Sequence, residues 1–137
     1  MRIFIAFFIC FSMFSITEIQ AQTNLQNLSC YSMDKETRHD DLWIIDADKM
    51  LISFWNNQDS QFQSFPITKL DKKTVAWNQM GTALTVFVLD KSTMRQSGTI
   101  ISTNQDGQSI IEKRWFSDCI FISHDQIDTL TQSKQKK

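Results

Sequence analysis

The sequence predicts an all-β fold: a small antiparallel barrel or sandwich of about seven or eight strands, its ends tied by one disulfide. Three observations predict it. Short runs rich in Trp, Ile, Phe and Val recur at ~10-residue spacing with polar turns between them. No segment sustains apolar residues at i, i+3, i+4 and i+7, so no long amphipathic helix is expected. Two cysteines, Cys30 and Cys119, flank nearly all of the segment that holds these runs.

The opening MRIFIAFFICFSMFSITEIQAQ has a different character. Arg2 precedes an apolar run from Ile3 to Ile16, and a short polar stretch ends in small Ala21. That is the plan of a secretory signal peptide, with a charged n-region, an apolar h-region and a small residue before the cut. The apolar run is shorter than the ~18–20 residues a spanning helix needs. Residues 1–21 are therefore read as a signal peptide, with an uncleaved N-terminal anchor as the alternative. Cys10 lies inside the apolar run after bulky Ile9, a poor setting for lipidation. Residues 22–137 are read as a single β domain with a loose N-terminal segment and a polar C-terminal tail.

Cleavage leaves two cysteines. In an oxidising compartment, two thiols in a small exported domain usually pair. A Cys30–Cys119 bridge would restrict the unfolded chain by roughly 4 kcal/mol in the loop-entropy picture. Two free buried thiols or a redox-active cysteine are the alternatives, though neither cysteine stands in a Cys-x-x-Cys arrangement. The net charge of -1 gives no basic excess that would point to nucleic acid.

The strands follow in order. The runs from Leu42 to Asp46 and from Met50 to Asn56 flank the turn-like Ala47-Asp48-Lys49 and predict a hairpin. The next run, Phe62 to Leu70, holds the only proline, Pro66, which predicts an edge strand or a break. Thr74 to Met80 follows the turn Leu70–Lys73, and Gly81 marks the next turn. Ala83 to Asp90 alternates most clearly, with Leu84, Val86 and Val88 against Thr85 and Phe87. Arg95 to Ser102 contains Gly98, which predicts a bulge or a barrel bend. Asp106-Gly107 suits the positive φ of a hairpin loop. Ser109 to Phe116 reads as the last long strand and Cys119 to Ser123 as a short closing one. A brief helix is an option for the tail from His124.

Motifs that carry chemistry are sparse. Asp46-Ala47-Asp48 places two carboxylates at a hairpin, but calcium usually needs six or more oxygens and no EF-hand pattern continues. His39-Asp40-Asp41 and His124-Asp125 do not supply the three or four ligands zinc requires. There is no Gly-x-Ser-x-Gly elbow and no Gly-rich phosphate cradle. No metal, no cofactor and no catalytic residue is therefore predicted, and the protein is read as a non-enzyme. Trp43, Trp55, Trp77 and Trp115 all fall on predicted strands. Such residues form cores or, when exposed, interfaces. Trp55, at a strand end before Asn56-Asn57-Gln58, is the one expected to be exposed to a partner.

The stretches TVAWNQ (Thr74–Gln79), VFVLDKST (Val86–Thr93) and RQSGTI (Arg95–Ile100) resemble small exported bacterial β-rich proteins of unassigned function. More distantly, the layout resembles the C-type lysozyme inhibitors of the bacterial envelope, small exported β-barrels with a cysteine near each end and a Ser-Gly-x-x-Tyr motif. That resemblance implies lysozyme binding through the motif's serine. Ser97 and Gly98 match its first two positions, and Ile101 stands where the tyrosine would be. The functional expectation is a non-enzymatic exported binding module, periplasmic or secreted, acting on a protein partner, with an inhibitor-like role as a subset of that reading. Ser97, Gly98 and Trp55 are the candidate partner-binding residues. Nucleic acid is not an expected partner, and no stable membrane anchor is expected after cleavage. The alternative is a small-ligand-binding β-barrel.

Overall fold

A computed structural model describes residues 24–34 and 37–135. Residues 1–21, read from the sequence as a signal peptide, lie outside the described residues with Cys10, as does the side chain of His39. Eight strands form a closed antiparallel barrel in which each strand pairs with its neighbours in sequence and the last pairs with the first. They are β1 (Leu25–Asp34), β2 (Thr37–Asp46), β3 (Leu51–Asn56), β4 (Gln61–Leu70), β5 (Thr74–Met80), β6 (Leu84–Asp90), β7 (Arg95–Thr103) and β8 (Ser109–Ile122). One helix, α1 (His124–Gln135), follows β8. No helix among the described residues is long and apolar enough to cross a membrane.

The closing seam is short. β1 pairs with β8 only from Asn27↔Ile122 to Tyr31↔Asp118, and Cys30 lies directly opposite Cys119 within it. The disulfide joins these two residues. The expected pairing is thus present, and it staples the one seam whose two strands are far apart in sequence.

Residues directly opposite each other on paired strands share a face of the sheet. Following the register around β5–β8 gives an inner row Trp77–Phe87–Gly98–Trp115 and, one step on, Val75–Leu89–Gln96–Ser117. Trp43, Ile45 and Ile52 face these rows from β2 and β3 and join the same buried cluster. Trp43 meets Trp77 edge-on at 5.0 Å, and Trp77 stacks on Phe87 at 5.1 Å. The barrel interior is therefore filled by its own aromatic side chains, as small eight-stranded barrels usually are.

Several local expectations change. β1 and the first half of β2 extend the sheet N-terminal of Leu42. β1 is hard to read because, among its described side chains, the fully buried apolar ones are Leu28 and Cys30, set among polar residues. Pro66 lies inside β4, yet the strand does not break there. Residues 61–66 pair with β3, and Ile67 opens the pairing with β5. The missing N–H thus falls at the change of partner, and a register shift follows between Ile67 and Lys69. β8 runs unbroken through Ser117 and Asp118, so the two expected strands are one of 14 residues.

Gly98 is not a bulge. The register shift between β7 and β8 lies opposite the step from Ile100 to Ile101, with Glu112 of β8 as the extra residue. A Cβ on Gly98 would overlap the Trp115 indole, so the glycine serves a close approach. The tail does form a helix, and its start is a capping box. Ser123 Oγ accepts from the Gln126 N–H at 3.2 Å, while Gln126 Oε1 accepts from the Ser123 N–H at 2.9 Å.

Candidate functional site

The outer surface of the barrel has two unlike halves. α1 covers one of them. Ile127 is buried with Leu42 of β2 and Trp55 of β3, and Ile44, Phe62 and Ile122 pack around them. Lys134 Nζ donates to the Asp40 carbonyl at 2.9 Å and pins the helix end. Trp55 consequently is 6% exposed and meets Phe62 edge-on at 5.1 Å. Its side chain points outward, as its strand-end position implied, but the helix half of the surface covers it. Trp55 offers a partner almost no area, which corrects the expected exposure.

The other half, the outer face of β5–β8, carries no such cover among the described residues. The register places Met80, Leu84, Ile101 and Ile111 in one cross-strand row. Met80 is 78% exposed and Ile111 59%. A second row reads Ala76, Val88, Ser97 and Phe116, with Phe116 51% exposed. Asn78, Val86, Thr99 and Arg114 lie between these rows. The rim beyond is charged, with Asp90, Arg95 and Asp118 in one row. Arg95 reaches Asp118 at 4.0 Å and sits 4.9 Å from the Phe116 ring centroid. Two apolar rows, separated by a largely polar one and edged by charge, are the composition of an interaction surface.

Two of the three residues singled out in the sequence lie on β7 but face opposite ways. Ser97 is half-buried on the outer face between Val88 and Phe116, with Oγ 3.5 Å from the Val88 carbonyl. Gly98 faces inward under Trp115 and is buried. Ile101, at the tyrosine position of the inhibitor motif, shares the outer face with Ser97. Missed in the sequence were Met80, Ile111 and Phe116. Phe116 becomes a neighbour of Ser97 only through the β7–β8 register, and Met80 joins Ile111 only through two intervening strands.

The barrel's two ends also differ. At one end, the turns between β2 and β3, β4 and β5, and β6 and β7 are each held by an aspartate. Asp46 accepts from Lys49 Nζ at 2.9 Å and the Lys49 N–H at 3.1 Å. Asp71 accepts from the N–H groups of Lys73 and Thr74 at 2.8 and 2.7 Å, and Asp90 from the N–H and hydroxyl of Ser92. Hydrogen bonding to the charged form holds all three carboxyls below their ordinary value. For Asp46 the leading cause is the Lys49 ammonium. Asp48 accepts from Asn24 Nδ2 at 3.0 Å, so the Asp46–Asp48 pair serves the turn. No group of three or more metal-ligating side chains occurs among the described residues.

The other end opens into a shallow cavity of about 410 Å³. Gln63, Phe65, Gln79, Thr85, Ile100 and Glu112 contribute to its lining. Comparison with known proteins gives no match to any family model, curated protein or solved structure.

Proposed function

We propose that this protein is an exported, non-enzymatic binding module that engages a protein partner through the outer face of β5–β8. The observation that carries the reading is the division of the outer surface. α1 buries Leu42 and Trp55 in one half and leaves Ile120 and Leu130 exposed beside it, while Met80, Leu84, Ile101, Ile111, Val88 and Phe116 share the half it does not cover. Exposed apolar side chains gathered on one face, with polar groups among and around them, are what interaction sites present. The aromatic-filled interior supports the same choice, because it leaves little room for a ligand deep in the barrel.

On this reading Ser97 lies within the contact, flanked by Val88 and Phe116, and an inhibitor-like role is a special case in which that surface closes a partner's cleft. Export is supported by the opening segment and the disulfide, a bond that persists in oxidising compartments. An intact mass corresponding to a start near Gln22 tests it.

The binding claim is tested by capture from extracytoplasmic extract. Immobilised wild type and a Gln132→Lys control on α1 should retain the same protein. An Ile111→Lys, Phe116→Lys double variant should lose it while keeping the wild-type fold by circular dichroism. Equal retention by the double variant, or none by the wild type, overturns the proposal.

A further inference from the structure

We infer that the open end of the barrel is a second site, taking a small primary ammonium compound with an apolar body. The register puts Gln79, Thr85 and Ile100 in one inner row at that end. The next row inward is Trp77–Phe87–Gly98–Trp115, which fills the barrel and forms a natural floor. The cavity above it, about 410 Å³, matches a small ligand in size.

The chemistry of the lining is mostly that of acceptors. Glu112 stands where the β7–β8 register skips a residue, opposite the step from Ile100 to Ile101. Bulges re-aim side chains, and here the carboxylate joins the cavity wall. Gln63 donates one amide N–H to Asp59 at 3.0 Å, which leaves its amide oxygen to accept and a second N–H to donate. Thr85 adds a hydroxyl. An ammonium, with three donors and no acceptor, fits a carboxylate, an amide oxygen and a hydroxyl. Lys113, opposite Ile100, lies outside the lining.

Gln79 adds the complementary demand. Its Nε2 is buried with no hydrogen-bond partner among the described residues. A buried donor left unpaired is costly, and a ligand that brings an acceptor relieves that cost. Phe65 and Ile100 supply the apolar wall. A ligand with an ammonium, a nearby carbonyl and an apolar group satisfies all three features.

L-phenylalaninamide is a suitable probe, with its N-acetyl derivative as the uncharged control. Binding is read from tryptophan emission, excited where the probe does not absorb, because Trp77 and Trp115 belong to the row beneath the cavity. Saturable binding of phenylalaninamide is expected. It should weaken about tenfold or more in Glu112→Gln, an exposed position whose substitution leaves the fold intact, and in the acetylated probe. Gln79→Met should weaken both probes alike. No saturable change with the wild type, equal affinity for the acetylated probe, or an unchanged Glu112→Gln would each overturn the inference.

Discussion

The Trp115 indole occupies the space a side chain on Gly98 would fill, and so reaches Phe87 across β7 at a ring separation of 5.8 Å. The inner row thus reads Trp–Phe–gap–Trp, and the gap lets the third aromatic close the cluster. Gly98→Ala must displace that indole. The expected cost is about 1–3 kcal/mol, the range for overpacking a tight core. Urea unfolding monitored by fluorescence checks it, and an unchanged midpoint would mean that Trp115 has somewhere else to go.

The disulfide lies among five consecutive β1–β8 residue pairs. Losing it frees a closed loop with a sequence separation of 89 and leaves that short seam as the only strand pairing between the chain's ends. The Cys30→Ala, Cys119→Ala double variant is expected to lose about 2–5 kcal/mol. Thermal melting of oxidised, reduced and variant protein should place the last two together, well below the first.

Acid should act through the three aspartate-held turns. Each carboxyl sits below its ordinary value of 3.8 in the folded chain, because its hydrogen bonds favour the charged form. The unfolded chain therefore binds protons first as pH falls. The stability these turns contribute is present in full above about pH 4–5 and is lost as pH drops through 3.8 toward the folded values. A melting temperature flat from pH 8 to 5 and falling below pH 4 is expected. Replacing Asp46, Asp71 and Asp90 by Asn should lower the plateau and flatten the acid limb.

Among the described residues, three non-glycine residues adopt positive φ at hairpin turns: Met50, Ser60 and Met94. Ser60, at φ 50°, is exposed, so relieving its backbone conformation disturbs no packing. The left-handed region costs an L-residue roughly 1–2 kcal/mol, part of which a glycine returns as unfolded-chain entropy. Ser60→Gly is expected to stabilise by about 0.5 kcal/mol, read as a higher urea midpoint at unchanged slope. Met94 should not show the same gain, because it also packs against the core.

Much of this fold is legible in the sequence, and the reasons for the rest are physical. β6 announces itself by alternation, Gly107 by its Asp-Gly turn, which adopts φ 78°, and the disulfide by cysteine count. β1 is obscured because polar Asn27 and Ser29 alternate with its buried Leu28 and Cys30 and leave only a short apolar signal. α1 buries only Ile127 and Thr131, too thin a stripe to register as amphipathic. The candidate surface was reachable only in part. Ser97 could be named, but its neighbours Val88 and Phe116 are joined to it by register, which no local pattern states. The bulge beside the cavity at the open end lies on β8 at Glu112, where no glycine marks it, whereas the sequence suggested a bulge or a bend on β7 at Gly98.

The most direct test of the binding proposal is site-specific photo-cross-linking in the cells that make the protein. A photo-reactive residue in place of Thr99, at the centre of the β5–β8 outer face, should yield a discrete adduct with another protein. The same residue in place of exposed Gln132 on α1 should yield none. Adducts from Gln132 alone, from both positions equally, or from neither would contradict the assignment of that face as the binding surface.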